Sequence, residues 1–185
     1  MKTLSLSCFI SILVFANLKA QIDSIYDPES QLSTLGITLP EVPQPVANYV
    51  GDIQVGHLLF LAGHGPLLED GTYITGKLGQ DLTIEQGYQA ARITGLGQLA
   101  KIKASLGNLN RVKQIVQIRG MVNAAPTFTD HSLVTNGISD LMVEVFGERG
   151  KHVRTSVGMG SLPNNIAIEI DLIVEVFSED EKAIK

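Results

Sequence analysis

Hydrophobic and polar residues alternate most regularly near the end of the chain. Every second residue there is aliphatic, namely Ile166, Ile168, Ile170, Leu172, Val174 and Val176. Glu169, Asp171 and Glu175 lie between them. Because successive side chains of a strand point to opposite faces of a sheet, this pattern predicts a strand over 166–177. Its apolar side chains lie on one face and its three carboxylates on the other.

A spacing of three and four residues predicts a long helix earlier in the chain. The apolar stripe consists of Ile84, Tyr88, Ala91, Gly95, Leu99, Ile102 and Leu106. Thr83 and Gln86 have the spacing of a capping box, which predicts that the helix begins after Thr83. Gly107 is the expected stop.

The remaining segments predict further strands and a second helix. Strand patterns occupy 57–63, 72–75, 111–123 and 152–159, and a second helix begins near Thr129 or Asp130 and runs to Phe146. This order predicts an α+β fold in which two helices cover one face of a sheet. The other face is only partly apolar, and we expect it to meet another subunit.

The first 45 residues differ from the rest. Lys2, an apolar run over 4–16 and Ala20 have the order of a secretory signal. We therefore expect 1–20 to be removed near Ala20 and the mature chain to be exported, to the periplasm or outside the cell. An uncleaved anchor or a buried N-terminal helix remains the alternative. The prolines of 21–45 predict an extended lead-in, followed by one domain over 46–178 and a tail over 179–185.

Composition excludes several classes of function. The chain has 14 Lys and Arg against 19 Asp and Glu, and it has no Trp. An acidic chain without a basic block or stacking aromatics does not favour nucleic-acid binding. Cys8, the single cysteine, lies within the predicted signal, so we expect neither thiol catalysis nor disulfides. His57, His131 and His152 lack metal-ligand spacing, so no metal site is predicted.

Two interpretations fit the charged residues of the last two strands. Arg154 and the carboxylates can form solvent-exposed cross-strand pairs, which stabilise a sheet by at most about 1 kcal/mol. Alternatively they form a small-molecule site, in which Arg154 grips a carboxylate through two hydrogen bonds and Glu169 activates a water. The glycine-containing segment 158–165 between them lets the chain reverse, so that both strands can present polar ends to one cleft.

A longer pattern favours the second interpretation. The spacing Arg154-x-Ser-Val-x-x-x-x-Leu-Pro163-x-x-x-x-Ile-Glu169-Ile resembles the C-terminal signature of the RidA/YjgF family, also called endoribonuclease L-PSP. The segments 58–66 and 76–88 are similar to that family as well, the second to its longer branch. The resemblance covers roughly residues 40–177.

The resemblance implies a chorismate-mutase-like α+β fold, a homotrimer and clefts between subunits. It also implies hydrolysis of 2-imino acids of the 2-aminoacrylate type to 2-oxo acids and ammonia, without metal or organic cofactor. Arg154 then holds the substrate carboxylate and Glu169 positions the attacking water. The expected contributors to substrate binding are Tyr49, Gly63, His64, Ser156 and Asn136.

Two positions depart from the family pattern. Ala62 and His64 stand where the family has serine and glutamine. Because Ala62 lacks the serine hydroxyl, an alternative function remains open. In that alternative the chain is a non-catalytic trimeric protein that binds small carboxylates or has a regulatory role. His64 is interpreted as a rim histidine rather than as a catalytic one. A ribonuclease is disfavoured by the acidic charge, and chorismate mutase activity rests on fold analogy alone.

Overall fold

A computed structural model describes residues 26–43 and 47–178 of the chain. The predicted signal over 1–20 and the tail over 179–185 lie outside the described residues. The helices are α1 (Pro28–Thr34), α2 (Ile84–Leu106) and α3 (His131–Phe146). The strands are β1 (Asp52–Val55), β2 (Leu58–His64), β3 (Val112–Asn123), β4 (Val153–Met159) and β5 (Ile168–Val176). No helix within the described ranges combines the length and the apolar character needed to cross a bilayer.

The five strands form one mixed sheet in the order β1-β2-β5-β3-β4. Strands β3 and β4 are parallel, and every other neighbouring pair is antiparallel. A parallel pair needs a crossover connection, and α3 lies in the connection between β3 and β4. The α+β prediction is therefore confirmed. Strand β3 separates β4 from β5, so the strands that carry Arg154 and Glu169 are not neighbours.

Helix α2 begins and ends as the sequence predicts. The Thr83 hydroxyl accepts from the backbone N–H of Gln86, and the Gln86 side chain accepts from the backbone N–H of Thr83. Gly107 ends the helix with a left-handed φ of 78°. The two long helices contact each other closely, since a methyl group on Gly137 of α3 would overlap the Tyr88 carbonyl of α2. Ile84, by contrast, is exposed rather than part of a buried stripe.

The two faces of the sheet are different surfaces. The alternating aliphatic residues of β5 are all buried, as predicted, and they pack beneath α2 and α3. We call this the covered face and the opposite one the open face. The open face exposes a group of large apolar side chains: Ile53, Val55, Leu58, Phe60, Val153 and Val157.

Two expectations about local structure were wrong, and one strand was missed. Residues 28–34 form α1 instead of an extended lead-in, because Asp27 caps the helix and Leu32 is buried against the domain. Residues 52–55 form a short edge strand that the sequence pattern did not reveal. Residues 72–75 form only isolated bridges, from Tyr73 to Leu67 and from Thr75 to Ile166, rather than a strand.

Candidate functional site

The three carboxylates on the open face of β5 have different partners. Asp171 accepts two hydrogen bonds from Arg119, at 2.9 Å from Nε and 2.7 Å from Nη2. Glu175 lies 3.2 Å from the Lys113 ammonium. Glu169 lies opposite Met121 in the β3–β5 register and makes no hydrogen bond or ion pair with any described residue. The pattern of a solvated, paired face thus holds for two carboxylates but not for Glu169.

Glu169 lies in a cavity of about 450 Å³ at the end of the sheet. The cavity is open to solvent. Its walls come from the β1–β2 edge, the C-terminal half of α2 and the turn before β5. The lining includes Tyr49, Gly51, Asp52, Gly63, His64, Tyr73, Lys101, Asn164 and Glu169. Four of the predicted site residues, Tyr49, Gly63, His64 and Glu169, therefore meet here.

Gly63 makes room for the Glu169 side chain. The β2–β5 register shifts between Leu61 and His64, which places an extra residue on β2. A methyl group on Gly63 would overlap Oε1 of Glu169 and lie 2.9 Å from its carboxyl carbon. A side chain at this position would force the Glu169 carboxylate to move, so glycine leaves the space that the carboxylate occupies. The bulge and the glycine together fix where the carboxylate lies.

The cavity changes the proton affinity of its charged groups. Burial raises the pKa of Glu169, the nearby Asp171 raises it further, and Lys101 partly offsets both. Burial lowers the pKa of Lys101, while Asp52 and Glu169 oppose that shift. A carboxyl with a raised pKa beside an amine with a lowered one is an arrangement suited to proton transfer near neutral pH.

His64 is a packed residue rather than a rim residue. Its ring lies against α2 so closely that a methyl group on Gly97 would overlap Nε2. The side chain is buried, and burial, with a smaller contribution from Lys101, lowers the pKa of His64 to about 4. The imidazole is therefore neutral at physiological pH. The expectation of a rim histidine was wrong because the β2 bulge turns this residue onto the covered face.

Arg154 lies under α3, on the covered face. Its Nη1 donates to Asn136 Oδ1 at 2.8 Å and to Ser139 Oγ at 3.0 Å. Since the carbonyl of Gly150 accepts from His152 Nδ1 at 2.7 Å, Nε2 of that ring is the acceptor for the Ser139 hydroxyl, at 3.0 Å. This chain of contacts orients the guanidinium. It also contradicts the interpretation of Arg154 as a cross-strand ion-pair partner.

Two further predicted residues accompany Arg154. Asn136 is brought to it by α3, although sequence spacing alone gave little reason to pair them. Ser156 lies two residues further along β4, opposite Gly120 of β3. Its hydroxyl is buried and finds no hydrogen-bond partner within the described part of the chain. No motif in the sequence marked Ser139, His152, Asp52 or Lys101, because their roles depend on contacts between distant elements.

Arg154 and Glu169 do not converge within this chain. In the sheet, Arg154 is level with Ile118, whereas Glu169 is level with Met121 three residues further along β3. Arg154 contacts the helix above the covered face, and Glu169 occupies the alternate, open face of β5. The predicted site therefore falls into two parts: the Arg154 cluster, with Asn136 and Ser156, and the Glu169 cavity.

Comparisons with known proteins show the family to which the chain belongs. The family described as "YjgF/chorismate_mutase-like, putative endoribonuclease" matches residues 29–179. The chain belongs to this family. Protein TCP17 of Trypanosoma cruzi is 42% identical over 148 residues, covering 80% of this chain and 92% of that protein.

Solved structures of other proteins have the same fold. The structure of Atu1372 from Agrobacterium tumefaciens, a protein of unknown function, is 38% identical with a TM-score of 0.76, and covers 88% of this chain and 99% of that one. RidA from the Antarctic bacterium Psychrobacter sp. PAMC 21119 is 19% identical with a TM-score of 0.51, and covers 74% of this chain and 94% of that one. At that identity the likeness to RidA shows the fold alone.

Proposed function

We propose that the chain hydrolyses 2-imino acids of the 2-aminoacrylate type to 2-oxo acids and ammonia. The observation that carries the proposal is the state of Glu169. It is half-buried, lies in a solvent-open cavity, has no partner among the described residues, and has a raised pKa. A structural carboxylate is normally paired, as Asp171 and Glu175 are, whereas an unpaired one in a cavity is suited to accept a proton.

In this mechanism Glu169 takes a proton from a water that attacks the imine carbon. When the substrate is the protonated imine, the addition gives a neutral amino alcohol. Its nitrogen then takes the proton back from Glu169 and the C–N bond breaks. The hydroxyl proton passes to the departing ammonia, so that an ammonium ion leaves and the 2-oxo acid remains. A positioned general base of this kind accelerates a reaction by about 10²–10⁴-fold. The raised pKa is useful for both steps, because the same group must first accept and then donate the proton.

Arg154 supplies the grip on the substrate carboxylate. Only its Nη1 is engaged, by Asn136 and Ser139, while Nε and Nη2 make no hydrogen bond with the described residues. Those two nitrogens form the fork that binds a carboxylate in a bidentate manner. The contacts at Nη1 hold the fork in place without using it.

A complete site then requires more than one protomer, and we propose a homotrimer. Arg154 and Glu169 belong to opposite faces of one sheet, so a neighbouring copy is needed to bring an arginine cluster to a glutamate cavity. The exposed apolar group of the open face, which includes Phe60 and Val153, supports such an association, because soluble monomers rarely expose large contiguous apolar patches. Light scattering that gives a trimer mass at micromolar concentration supports this assembly, and a monomer mass contradicts it.

The activity is tested with purified residues 21–185 and imines generated in the assay by an amino-acid oxidase. We expect 2-oxo acid to form faster than in the spontaneous reaction, and faster than with the Glu169→Gln variant. Several parent amino acids define the preferred side chain. Equal rates with and without the protein for every imine would refute the proposal. N-terminal sequencing of the protein from its native host tests the proposed export and cleavage near Ala20.

One observation favours a second function, the binding of small carboxylates without turnover. Ala62 lies beside Gly63 where the family has serine, so its side chain offers no hydroxyl to a ligand, and its carbonyl accepts from Gln98 at 3.1 Å. Calorimetry with pyruvate separates the two functions. Binding that depends on Arg154, together with an absence of imine hydrolysis, would favour the binding protein.

A further inference from the structure

The Glu169 cavity contains a second reactive side chain that the hydrolysis above does not use. Lys101 belongs to the C-terminal half of α2 and is 8% exposed. It lines the same cavity as Glu169 and Gly63. It makes no hydrogen bond or ion pair with any residue of the described ranges. Buried lysines are rare unless they are paired, so this one needs an explanation.

The charged groups near Lys101 do not offset the effect of burial on its ammonium form. Asp52 is within electrostatic reach, but its carboxylate accepts from the Ser105 hydroxyl at 2.8 Å instead. Glu169 is also within reach but forms no ion pair with it. His64, which also lies near the amine, is neutral because its pKa is lowered to about 4. Burial outweighs the two carboxylates and lowers the pKa of Lys101, which increases the fraction of neutral, nucleophilic amine.

We infer that Lys101 is a nucleophile that forms a Schiff base with the second carbon of small 2-oxo acids, and with the same carbon of 2-imino acids. Three geometric features carry this inference: a lysine that is 8% exposed, a solvent-open cavity that this lysine lines, and an unpaired carboxyl in the same cavity. A lysine amine in such surroundings, with an acid nearby, has the components needed for carbonyl condensation.

The chemistry balances with the groups present. The lone pair of Nζ attacks the carbonyl carbon, and the carbonyl oxygen takes up a proton released from the nitrogen, which gives a carbinolamine. Glu169 in its acid form then protonates the hydroxyl, the C–O bond breaks and water leaves. The products are a protonated imine on Lys101 and a Glu169 carboxylate, which form an ion pair. No oxidant or reductant is required.

With a 2-imino acid the same attack displaces ammonia instead of water. Hydrolysis of the lysine imine then returns the amine and releases the 2-oxo acid. The inference for imines therefore rests on the proposed function and adds a covalent intermediate to it. Condensation with a 2-oxo acid does not depend on that function, so the two ideas can be tested separately.

The experiment uses the purified chain, pyruvate and cyanoborohydride at neutral pH, followed by peptide mass mapping. Cyanoborohydride reduces an imine to a stable secondary amine and so records which lysine carried it. We expect the adduct mainly on Lys101. The matched control within the same helix is Lys103, which is more exposed and lies 2.6 Å from Glu29 in an ion pair. A lowered pKa increases the fraction of neutral amine at neutral pH, so we expect clear enrichment of the adduct on Lys101 over Lys103.

Variants complete the test. Lys101→Met removes the amine, has a similar volume and removes a buried charge, so it should fold and lose the adduct. Lys101→Arg keeps a positive charge and should also lose it, whereas Lys103→Arg should retain it. A thermal melt verifies that each variant is folded.

The outcomes for the two ideas are distinct. Adduct on Lys101 without imine hydrolysis supports the inference and refutes the proposed function. Imine hydrolysis that survives in Lys101→Met, with no enrichment of adduct at Lys101 in the wild type, overturns the inference and leaves the proposed function standing. An adduct spread evenly over surface lysines also overturns it.

Discussion

The covered and open faces of the sheet belong to the same strands but differ in residue type and burial. On β5 the covered face carries only aliphatic residues beneath two helices, whereas the open face carries Glu169, Asp171 and Glu175. Two polar side chains at the covered face have specific partners: Arg154 donates to Asn136 and Ser139, and Gln98 of α2 donates to two backbone carbonyls. The buried hydroxyl of Ser156 finds no partner within the described residues. On the open face the notable group is Glu169, which has no partner among the described residues. The covered face secures the fold and positions Arg154, whereas the open face takes part in the proposed reaction and in the proposed assembly.

The largest effect is expected at the open-face carboxylate. Glu169→Gln keeps the size of the side chain but removes the base, so imine hydrolysis should fall by about 10²–10⁴-fold. Because burial and Asp171 raise the pKa of Glu169 above its unfolded-state value, ionisation of this carboxyl destabilises the folded state at neutral pH. The variant should therefore melt no lower than the wild type at neutral pH. Oxo acid formation and a thermal melt measure the two effects.

Glu175→Gln is the matched control, since Glu175 lies on the same face of the same strand and is paired with Lys113. It should retain nearly full activity. Full activity in Glu169→Gln would contradict the proposal that the unpaired Glu169, unlike the paired Glu175, is the base of the reaction.

A second test compares packing on the two faces directly. Leu172 is buried on the covered face of β5, and Leu172→Ala should reduce the free energy of unfolding by about 2–5 kcal/mol. Phe60 is 38% exposed on the open face, so Phe60→Ala should weaken assembly more than it destabilises the protomer. Denaturant unfolding and light scattering report the two quantities. If Leu172→Ala and Phe60→Ala changed the free energy of unfolding and the assembly mass equally, the two faces would not differ in the way described.

The third test concerns the arginine beneath α3. Arg154→Ala should weaken pyruvate binding by about 2–3 kcal/mol, because it removes charge-assisted hydrogen bonds. Arg154→Lys should restore only part of this, since lysine keeps the charge but loses the planar fork. Isothermal calorimetry measures both. The control is Arg92→Ala, which removes a surface ion pair with Glu144 on the outer side of the helices and should leave pyruvate binding unchanged.

The smallest effect is a pH dependence from the buried imidazole. Since the pKa of His64 is lowered to about 4, its stabilising contribution is complete above an unfolded-state pKa of about 6.5. That contribution is lost as the pH falls through the folded-state value. His64→Gln should therefore reduce the loss of thermal stability between about pH 6.5 and pH 4. His57→Gln, at an exposed position, should follow the wild-type curve, and a His64→Gln curve that also does so would contradict this account.

Much of the fold follows from local pattern. The strict alternation of β5 and the capping box and terminal glycine of α2 are set by the preferences of neighbouring residues, and the structure has all three. Segments that lack such patterns were missed: β1 is a short edge strand, and α1 is stabilised by the cap at Asp27 and by burial of Leu32 against distant elements. Residues 72–75 have the local pattern of a strand, but they form only isolated bridges with Leu67 and Ile166 and no continuous pairing with a neighbouring strand.

The sequence by itself determined the family, the α+β class, and the candidate pair Arg154 and Glu169, since these depend on residue types at fixed spacing. The tertiary structure decided the rest. It placed the pair on opposite faces with β3 between their strands, buried His64 against Gly97, and brought Ser139 and His152 to the arginine cluster and Lys101 to the glutamate cavity. The reason is physical: proton affinity and hydrogen bonding depend on burial and on neighbours tens of residues away, which periodicity along the chain does not record.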